Sequence, residues 1–95
     1  MAEIIWTITA IDDLNNIGNY IAKDSLLFAK LTVEKLFKKS EILTRYLNLG
    51  RVVPEKNNES IRELIEGNYR IIYQIISDKK INILTIIHSS RILEI

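Results

Sequence analysis

The sequence has no cysteine, one proline, three glycines and one histidine among its 95 residues. Without cysteine there is no disulfide framework, no thiolate zinc site and no thiol nucleophile. A lone histidine does not build a usual metal site without cysteine, and no glycine-rich phosphate loop is present. We therefore expect neither a metal nor a cofactor.

Long hydrophobic runs are also missing. The longest uncharged stretch, Ile81–Ser90, is half of the roughly 20 residues that a membrane-spanning helix needs. The start of the chain, Met1-Ala2-Glu3, lacks the basic region of a secretory signal. These features predict a cytoplasmic protein with no membrane segment.

The length and composition predict one globular domain over residues 1–95. Apolar residues make up 47% and charged residues 26% of the chain, which is ordinary for a folded soluble domain. The formal net charge is only +1 and the isoelectric point is near 8.0. A dedicated nucleic-acid binder is usually more basic, with an isoelectric point above about 9, so the charge argues against that class.

Two helices are predicted after a first strand over residues 3–8. Thr9 is the expected N-cap of the first helix, with Asp12 and Asp13 in its first turn, where acids suit the helix dipole. Asp24-Ser25 is the expected cap of the second helix. Apolar residues recur at helical spacing in both segments, so we expect a helical hairpin. Its predicted buried stripes consist of Ile11, Leu14, Ile17, Ile21, Leu26, Ala29, Val33, Leu36, Phe37 and, further along, Leu43.

The second half of the chain predicts three further strands, over residues 61–65, 69–76 and 81–88, after an extended loop over 51–58. Short polar turns between them favour antiparallel neighbours, and their isoleucine content favours central positions in the sheet. The predicted fold is α+β, in the order β-α-α-β-β-β. The helical hairpin packs on one face of a mainly antiparallel four-stranded sheet.

Arg70 is the least expected residue of the isoleucine-rich strand at 69–76. Strand alternation places it on the face opposite Tyr69 and Tyr73. If the helices cover the tyrosine face, Arg70 lies on the open face, where His88 and Arg91 could approach it. Two interpretations stand: a solvated side chain on an open sheet, or a partner, phosphate or catalytic role.

His88 has a structural and a catalytic interpretation. It is either a core or capping residue, or a general base acting on a 2′-hydroxyl beside a phosphate. The catalytic interpretation needs positive charges and a carboxylate around the reacting atoms. The candidates for these are Arg62, Arg70, Arg91, Glu55 and Glu63.

Several segments along the chain match one known family in their joint order and spacing, and they are Trp6, 10–14, Ile17, 20–21, 50–55, Ile61-Arg62-Glu63-Leu64, Asn68-Tyr69-Arg70-Ile71-Ile72-Tyr73 and Ile87-His88-Ser89-Ser90-Arg91. With these segments the chain resembles the ParE/RelE superfamily of toxins from type II toxin–antitoxin modules, also called plasmid-stabilisation proteins. The resemblance covers nearly the whole chain, and the joint order and spacing of the segments make it specific. The family's fold, a helical hairpin on a mainly antiparallel sheet, agrees with the fold predicted above.

The resemblance implies two functions. ParE-like members poison DNA gyrase, whereas RelE-like members are ribosome-dependent endoribonucleases that cut mRNA. The loop 50–55 and the ending His88-x-x-Arg91 look more like ParE, and no tyrosine follows His88. If the chain is a ribonuclease, Arg70, His88, Arg62 and Arg91 are its candidate catalytic residues. A third possibility is an inactive member that only binds an antitoxin.

Both branches imply a cognate antitoxin as partner. The expected assembly is a toxin–antitoxin hetero-oligomer or a homodimer of the toxin. The hairpin has apolar residues off its main stripe, and we expect the antitoxin to bind Leu27, Phe28 and Leu31. The alternative is that these side chains are scattered surface residues or part of a wider buried stripe.

Overall fold

The computed structural model of the protein describes residues 1–94, in which two helices pack on one face of a five-stranded sheet. The strand order is β1-β5-β4-β3-β2, with β1 parallel to β5 and every other pair antiparallel. The predicted α+β class, helical hairpin and central isoleucine-rich strands are confirmed. The elements are β1 Glu3–Trp6, α1 Ile8–Ala22, α2 Leu26–Glu41, a 3-10 turn Ile42–Thr44, β2 Arg51–Val52, β3 Ile61–Glu66, β4 Tyr69–Ser77 and β5 Lys80–His88.

The prediction of four strands was wrong by one, because part of the expected loop 51–58 is the edge strand β2. Arg51 and Val52 pair with Glu63 and Arg62 of β3. Two residues are too few to show strand alternation in a sequence. Gly50 makes the pairing possible, because a Cβ there would lie 2.5 Å from the Glu63 carbonyl oxygen and 2.7 Å from the Tyr73 ring.

The caps of the two helices explain a second difference from the prediction. Ser25 caps α2 as expected, since its hydroxyl accepts the Phe28 N–H at 3.1 Å. The cap of α1 is Thr7 and not Thr9, and its hydroxyl accepts the Ala10 N–H. Thr7 is favoured as the cap over Thr9 because its hydroxyl also donates to the Ile83 carbonyl of β5 at 2.8 Å. The helix therefore begins two residues earlier than expected, and Asp12 and Asp13 lie beyond its first turn.

The two helices of the hairpin pack closely together, and only part of the predicted stripe is buried. A Cβ at Gly18 would lie 3.0 Å from Val33 of α2, so the glycine permits the close approach of the helices. Ala29, Leu36 and Leu43 are buried. The prediction was wrong for Leu26, Phe37 and Ile11, which are 78%, 48% and 44% exposed. None of the helices formed by the described residues is long and apolar enough to cross a membrane.

The sheet has an inner face, covered by α1 and α2, and an outer face on which no helix formed by residues 1–94 packs. The inner-face core includes Leu36 and Leu43 of the helical segment together with Ile71, Tyr73 and Ile83 of the sheet. A smaller outer-face cluster consists of Val53, Ile72 and Leu93, with Ile61, Leu84 and Ile87 packed against it.

A β-bulge decides which face the end of β5 presents. Ile72 pairs with Thr85 but Tyr73 pairs with Ile83, so Leu84 is an additional residue in β5. One additional residue reverses the alternation from there on. Leu84 therefore packs on the outer face while Ile86 joins the inner core, and His88, two residues further on, lies on the inner side, away from Arg70.

Candidate functional site

Arg70 lies at the centre of a buried ion cluster on the outer face. Its guanidinium makes a bidentate pair with Glu55, with both N···O distances 2.8 Å, and its Nε donates to Glu63 at 2.5 Å. Glu63 is also paired with Arg51, whose side chain is mostly exposed. The hydrogen bond with Glu55 is the main reason that the pKa of Arg70 is raised above its ordinary value, against the effect of burial.

The same cluster ties the last described residues to the sheet. Arg70 Nη1 donates to the Arg91 carbonyl at 2.9 Å, and the Leu93 N–H donates to Glu55 at 2.7 Å. The hydrogen bonds from Arg70 and then from Leu93 lower the pKa of Glu55 from 4.5 to about 2. Glu55 thus stays ionised and holds both the arginine and the segment 91–93 in place.

The expectation that Arg70 lies on an open face is wrong. It does lie opposite the tyrosine face, as strand alternation predicts, but it is only 6% exposed. The segments around Val53 and Leu93 cover it, and its four hydrogen bonds go to Glu55, Glu63 and the Arg91 carbonyl. A guanidinium neutralised in this way has little positive charge left for a phosphate.

His88 does not approach Arg70, because it lies on the other side of the sheet. It pairs across strands with Tyr69, and the two rings meet edge to face at 5.8 Å. Its Nδ1 accepts the Ser90 N–H at 3.1 Å and lies 2.8 Å from the Ser90 hydroxyl. An Nδ1 that accepts a backbone N–H leaves the ring proton of the neutral form on Nε2.

An open groove lies between α1 and the end of β5, and we call it the α1–β5 groove. It has a volume of about 660 Å³. Helix α1 forms one wall, and the end of β5 and the residues after it form the other. The groove is lined by Asp13, Asn16, Ile17, Tyr20, Tyr69, Ile86, Ile87, His88, Ser90 and Arg91. Two of the four predicted catalytic residues, His88 and Arg91, therefore line one groove, and Arg70 belongs to the opposite face.

Arg62, the fourth candidate, bonds to nearby backbone. Its Nε donates to the Glu59 carbonyl and its Nη1 to the Gly50 carbonyl, both at 3.0 Å. Arg62 of β3 thus links the connection that precedes its own strand to Gly50, the residue before the edge strand β2. Within residues 1–94, no three histidine or acidic side chains come together where they could hold a metal ion.

The apolar residues at the start of α2 form a second exposed surface, which we call the hairpin patch: Leu26, Leu27, Phe28 and Leu31. Their exposed fractions are 78%, 67%, 66% and 41%. The alternative of a wider buried stripe therefore does not apply to them. Contiguous exposed apolar residues are a common mark of a protein–protein contact.

Sequence reasoning missed the role of one residue in the groove. Asp13 accepts both the Thr85 hydroxyl and the Ile86 N–H, the latter at 3.0 Å. An acid beside Leu14 and Ile17, on the helix side that packs on the sheet, is a signal that could have indicated this role. Assigning Asp13 to the first turn of the helix concealed it.

Comparison with known proteins gives a family and a fold. Residues 4–93 match the family model described as the ParE toxin of type II toxin–antitoxin system, parDE. The chain is 29% identical over 92 residues to Toxin RelE2 of Caulobacter vibrioides, an alignment that covers 97% of this chain and all of that protein. It also superimposes with a TM-score of 0.75 on a chain of the chromosomal ParDE TA system from P. aeruginosa, at 23% identity, covering 93% of this chain and 96% of the other. At that identity the structural match supports the fold.

Proposed function

We propose a gyrase-directed function for this chain, which belongs to the ParE toxin family of type II toxin–antitoxin systems within the ParE/RelE superfamily. In this proposal the protein acts in the cytoplasm, binds DNA gyrase and arrests growth without bond-making chemistry of its own. A cognate antitoxin neutralises it. We expect no cofactor to take part.

The observation that carries this proposal is the separation of the candidate catalytic groups. Acid–base cleavage of RNA needs a base, an acid and a phosphate-binding cation around one reacting centre. Here Arg70 is buried in ion pairs on the outer face, whereas His88 lies beside Tyr69 at the end of the inner face. The arrangement favours a toxin that acts by binding a protein.

One observation favours a second candidate, a RelE-like ribosome-dependent endoribonuclease. His88 and Arg91 line the same open groove, together with Tyr69. In that case His88 is the base, Arg91 the phosphate-binding cation, and Arg70 and Arg62 only support the fold. An inactive family member that retains antitoxin binding is the third candidate.

The test is induction of the chain in a susceptible bacterium, with growth, gyrase activity and mRNA integrity measured together. The gyrase function predicts growth arrest, accumulation of cleaved gyrase–DNA complexes and mRNA without codon-positioned cuts. Codon-positioned cuts with normal supercoiling would overturn it in favour of the ribonuclease. Unaffected growth with a soluble, folded chain would overturn both in favour of the inactive member.

Two exposed residues give matched variants for this test. His88→Ala and Arg91→Ala leave the ion cluster in place, because Arg91 contributes only its backbone carbonyl to that cluster. If the chain is a ribonuclease, each variant should lose toxicity by about 10²-fold or more, as expected for a general base. If it binds gyrase, loss of the His88 ring should not abolish the arrest.

We further propose that the antitoxin contacts the hairpin patch, in particular Leu27, Phe28 and Leu31. These exposed side chains stand together at one end of the hairpin, and burying them in a complex would remove apolar surface from water. The partner is the small protein encoded beside this gene.

A pull-down with that neighbouring protein tests the patch. Phe28→Ser and Leu31→Ser should each weaken capture of the partner by 10-fold or more, since large apolar anchors dominate interfaces. Ile76→Ser, at another exposed apolar position, is the control and should leave capture unchanged. Equal capture by all variants would show that the antitoxin binds elsewhere.

A further inference from the structure

One side of helix α2 points away from the rest of the molecule. Ala29 and Leu36, on its other side, are buried, whereas Leu27 and Leu31 are among the exposed residues of the hairpin patch. Residues 27, 31 and 34 follow one another at intervals of four and three, so they lie along one line of the helix. This line runs from the hairpin patch to Glu34, which is also exposed. Helix α2 thus has an outward face that stays uncovered in the described part of the chain.

Each end of this outward face carries one basic and one acidic residue. Lys23 and Asp24 lie in the turn before α2, and Lys30 and Glu34 lie within the helix. All four are exposed, and none of them is in an ion pair within residues 1–94. Lys23 lies above the Tyr20 ring, with its Nζ 5.7 Å from the ring centroid. The hairpin patch is therefore bordered at both ends by charges that are available to another molecule.

This order of charges is complementary to itself in a second copy of the chain. In a closed dimer two identical chains meet through the same surface, so that residue i of one contacts residue j of the other and j contacts i. With the two α2 helices antiparallel, Lys23 of one copy faces Glu34 of the other, and Asp24 faces Lys30. With the helices parallel, each of the four residues would face its own counterpart, and like charges would meet. The charges therefore favour the antiparallel arrangement.

The same arrangement brings the apolar side chains of two copies together. Both charge pairings place the two-fold axis beside Leu27 and Phe28, so the hairpin patches meet at the centre and the charges lie at the rim, as in most interfaces. The net charge of +1 adds little repulsion between the copies. Four apolar side chains are far fewer than the roughly 20–30 residues on each side of a standard interface. We therefore expect a weak, reversible dimer with a dissociation constant on the order of micromolar.

We propose that the free toxin forms a two-fold symmetric dimer through the hairpin patch, with antiparallel α2 helices and with Lys23–Glu34 and Asp24–Lys30 pairs between the copies. This dimer does not depend on the target of the toxin. It uses the same apolar side chains as the proposed antitoxin contact, so the second copy and the antitoxin exclude each other. In the free toxin, the second copy covers an apolar surface that would otherwise favour aggregation.

Sedimentation equilibrium of the purified chain, from about 1 to 200 µM, tests the dimer. The unmodified chain should pass from monomer to dimer and not to larger species, because a closed two-fold contact occupies both patches. Phe28→Ser should raise the dissociation constant by at least about 10-fold, since large apolar anchors dominate interfaces. Ile76→Ser, at an exposed apolar position outside the patch, is the control and should leave it unchanged. A monomer at every concentration, or an open series of larger oligomers, would overturn the proposal.

An exchange of charges tests the antiparallel pairing itself. Glu34→Lys places like charges opposite each other at two symmetric positions, so it should raise the dissociation constant by about 10-fold, and Lys23→Glu should do the same. The double variant restores opposite charges across the axis and should return to within about 3-fold of the unmodified chain. Glu59→Lys makes the same change of charge at an exposed residue outside α2 and should have little effect. A double variant as weak as the single ones would overturn the antiparallel arrangement.

The failures of this dimer and of the proposed antitoxin contact give different results. If the chain stays monomeric but Phe28→Ser weakens capture of the neighbouring protein, the dimer is wrong and the antitoxin contact stands. If the dimer forms and the exchanged charges restore it, but Phe28→Ser leaves capture unchanged, the dimer stands and the antitoxin binds elsewhere. A dimer with the same dissociation constant in Phe28→Ser as in the unmodified chain would overturn this interface.

Discussion

The two faces of the sheet are closed by different chemistry. The inner face is covered by two helices and held by apolar side chains such as Leu36, Ile71 and Ile83, all 0–1% exposed. In the described part of the chain, the outer face is covered by irregular segments around Val53 and Leu93 and by no helix. These segments are fastened by Glu55 and by the charged cluster around Arg70. A face without a packed layer thus depends on a few directional contacts, whereas the helical face depends on many undirected ones.

The largest expected loss of stability comes from removing the Arg70 guanidinium from the ion cluster of the outer face. Arg70→Met leaves Glu63, which is 1% exposed, without its buried partner. Removing one partner of a buried pair typically costs about 3–5 kcal/mol of the free energy of unfolding. Urea unfolding monitored by circular dichroism measures it.

The double variant Arg70→Met with Glu63→Leu is the control for that change. It removes both charges and should recover part of the lost stability, since an apolar replacement of a buried pair is often neutral. If the double variant is less stable than the single one, the loss comes from packing rather than from an unpaired carboxylate.

The matching change on the inner face is Tyr73→Phe. The buried Tyr73 hydroxyl donates to the Leu47 carbonyl at 2.7 Å and accepts the Gly50 N–H at 2.9 Å. Its removal leaves two buried groups unpaired, and we expect a loss of about 1–3 kcal/mol in the free energy of unfolding. The loss should be independent of pH between 3 and 7, unlike that of the outer-face variants. A pH-dependent loss would show that the faces are coupled.

The pH dependence of the free energy of unfolding is a third way to distinguish how the two faces are stabilised. The folded pKa of Glu55, about 2, is below its ordinary 4.5, so its contribution is complete above pH 4.5 and disappears as the pH falls toward 2. The free energy of unfolding should therefore fall in that window, and Glu55→Gln should reduce the slope. Identical slopes in both proteins would contradict the role given to Glu55.

The smallest effect is expected for Arg51→Gln. Arg51 pairs with the same Glu63 carboxylate as Arg70, but its side chain is 67% exposed. Exposed pairs contribute only about 0–1 kcal/mol, because water solvates each charge when its partner is removed, and dissolved ions screen the attraction further. Unfolding with and without 0.5 M NaCl measures the difference. A loss as large as that of Arg70→Met would contradict the distinction between the two arginines.

The sequence predicts the elements better than the contacts between them. The high isoleucine content of β4 and β5 and the Ser25 cap identify two strands and the start of the second helix, because these signals are local. The bulge at Leu84 is not visible in the sequence, since any residue can occupy a bulge. This one extra residue places His88 on the inner face and not on the predicted outer face. Thr9 looks as good a cap as Thr7 until the Ile83 carbonyl is known to lie beside Thr7.

The candidate site shows the same difference between local signals and contacts across the fold. Strand alternation places Arg70 opposite the tyrosines correctly, because this requires only its own strand. Its burial depends on Glu55 and Leu93, which are 15 and 23 positions away in the chain and reach it only through the tertiary fold. Sequence reasoning named the charged residues of the site but could not determine which of them neutralise one another.

The parallel pairing of β1 with β5 also constrains how the molecule folds. Thr7 and the Ile83 carbonyl that it bonds are 76 positions apart, so the first strand gains its neighbour only after the last strand has been synthesised. Contacts between distant parts of a chain slow folding, and they cannot form while the chain is still growing on the ribosome. Until β5 emerges, β1 has no strand to pair with and the α1–β5 groove lacks its β5 wall. The newly made chain therefore passes through a stage in which α1 has been synthesised but the α1–β5 groove has not formed.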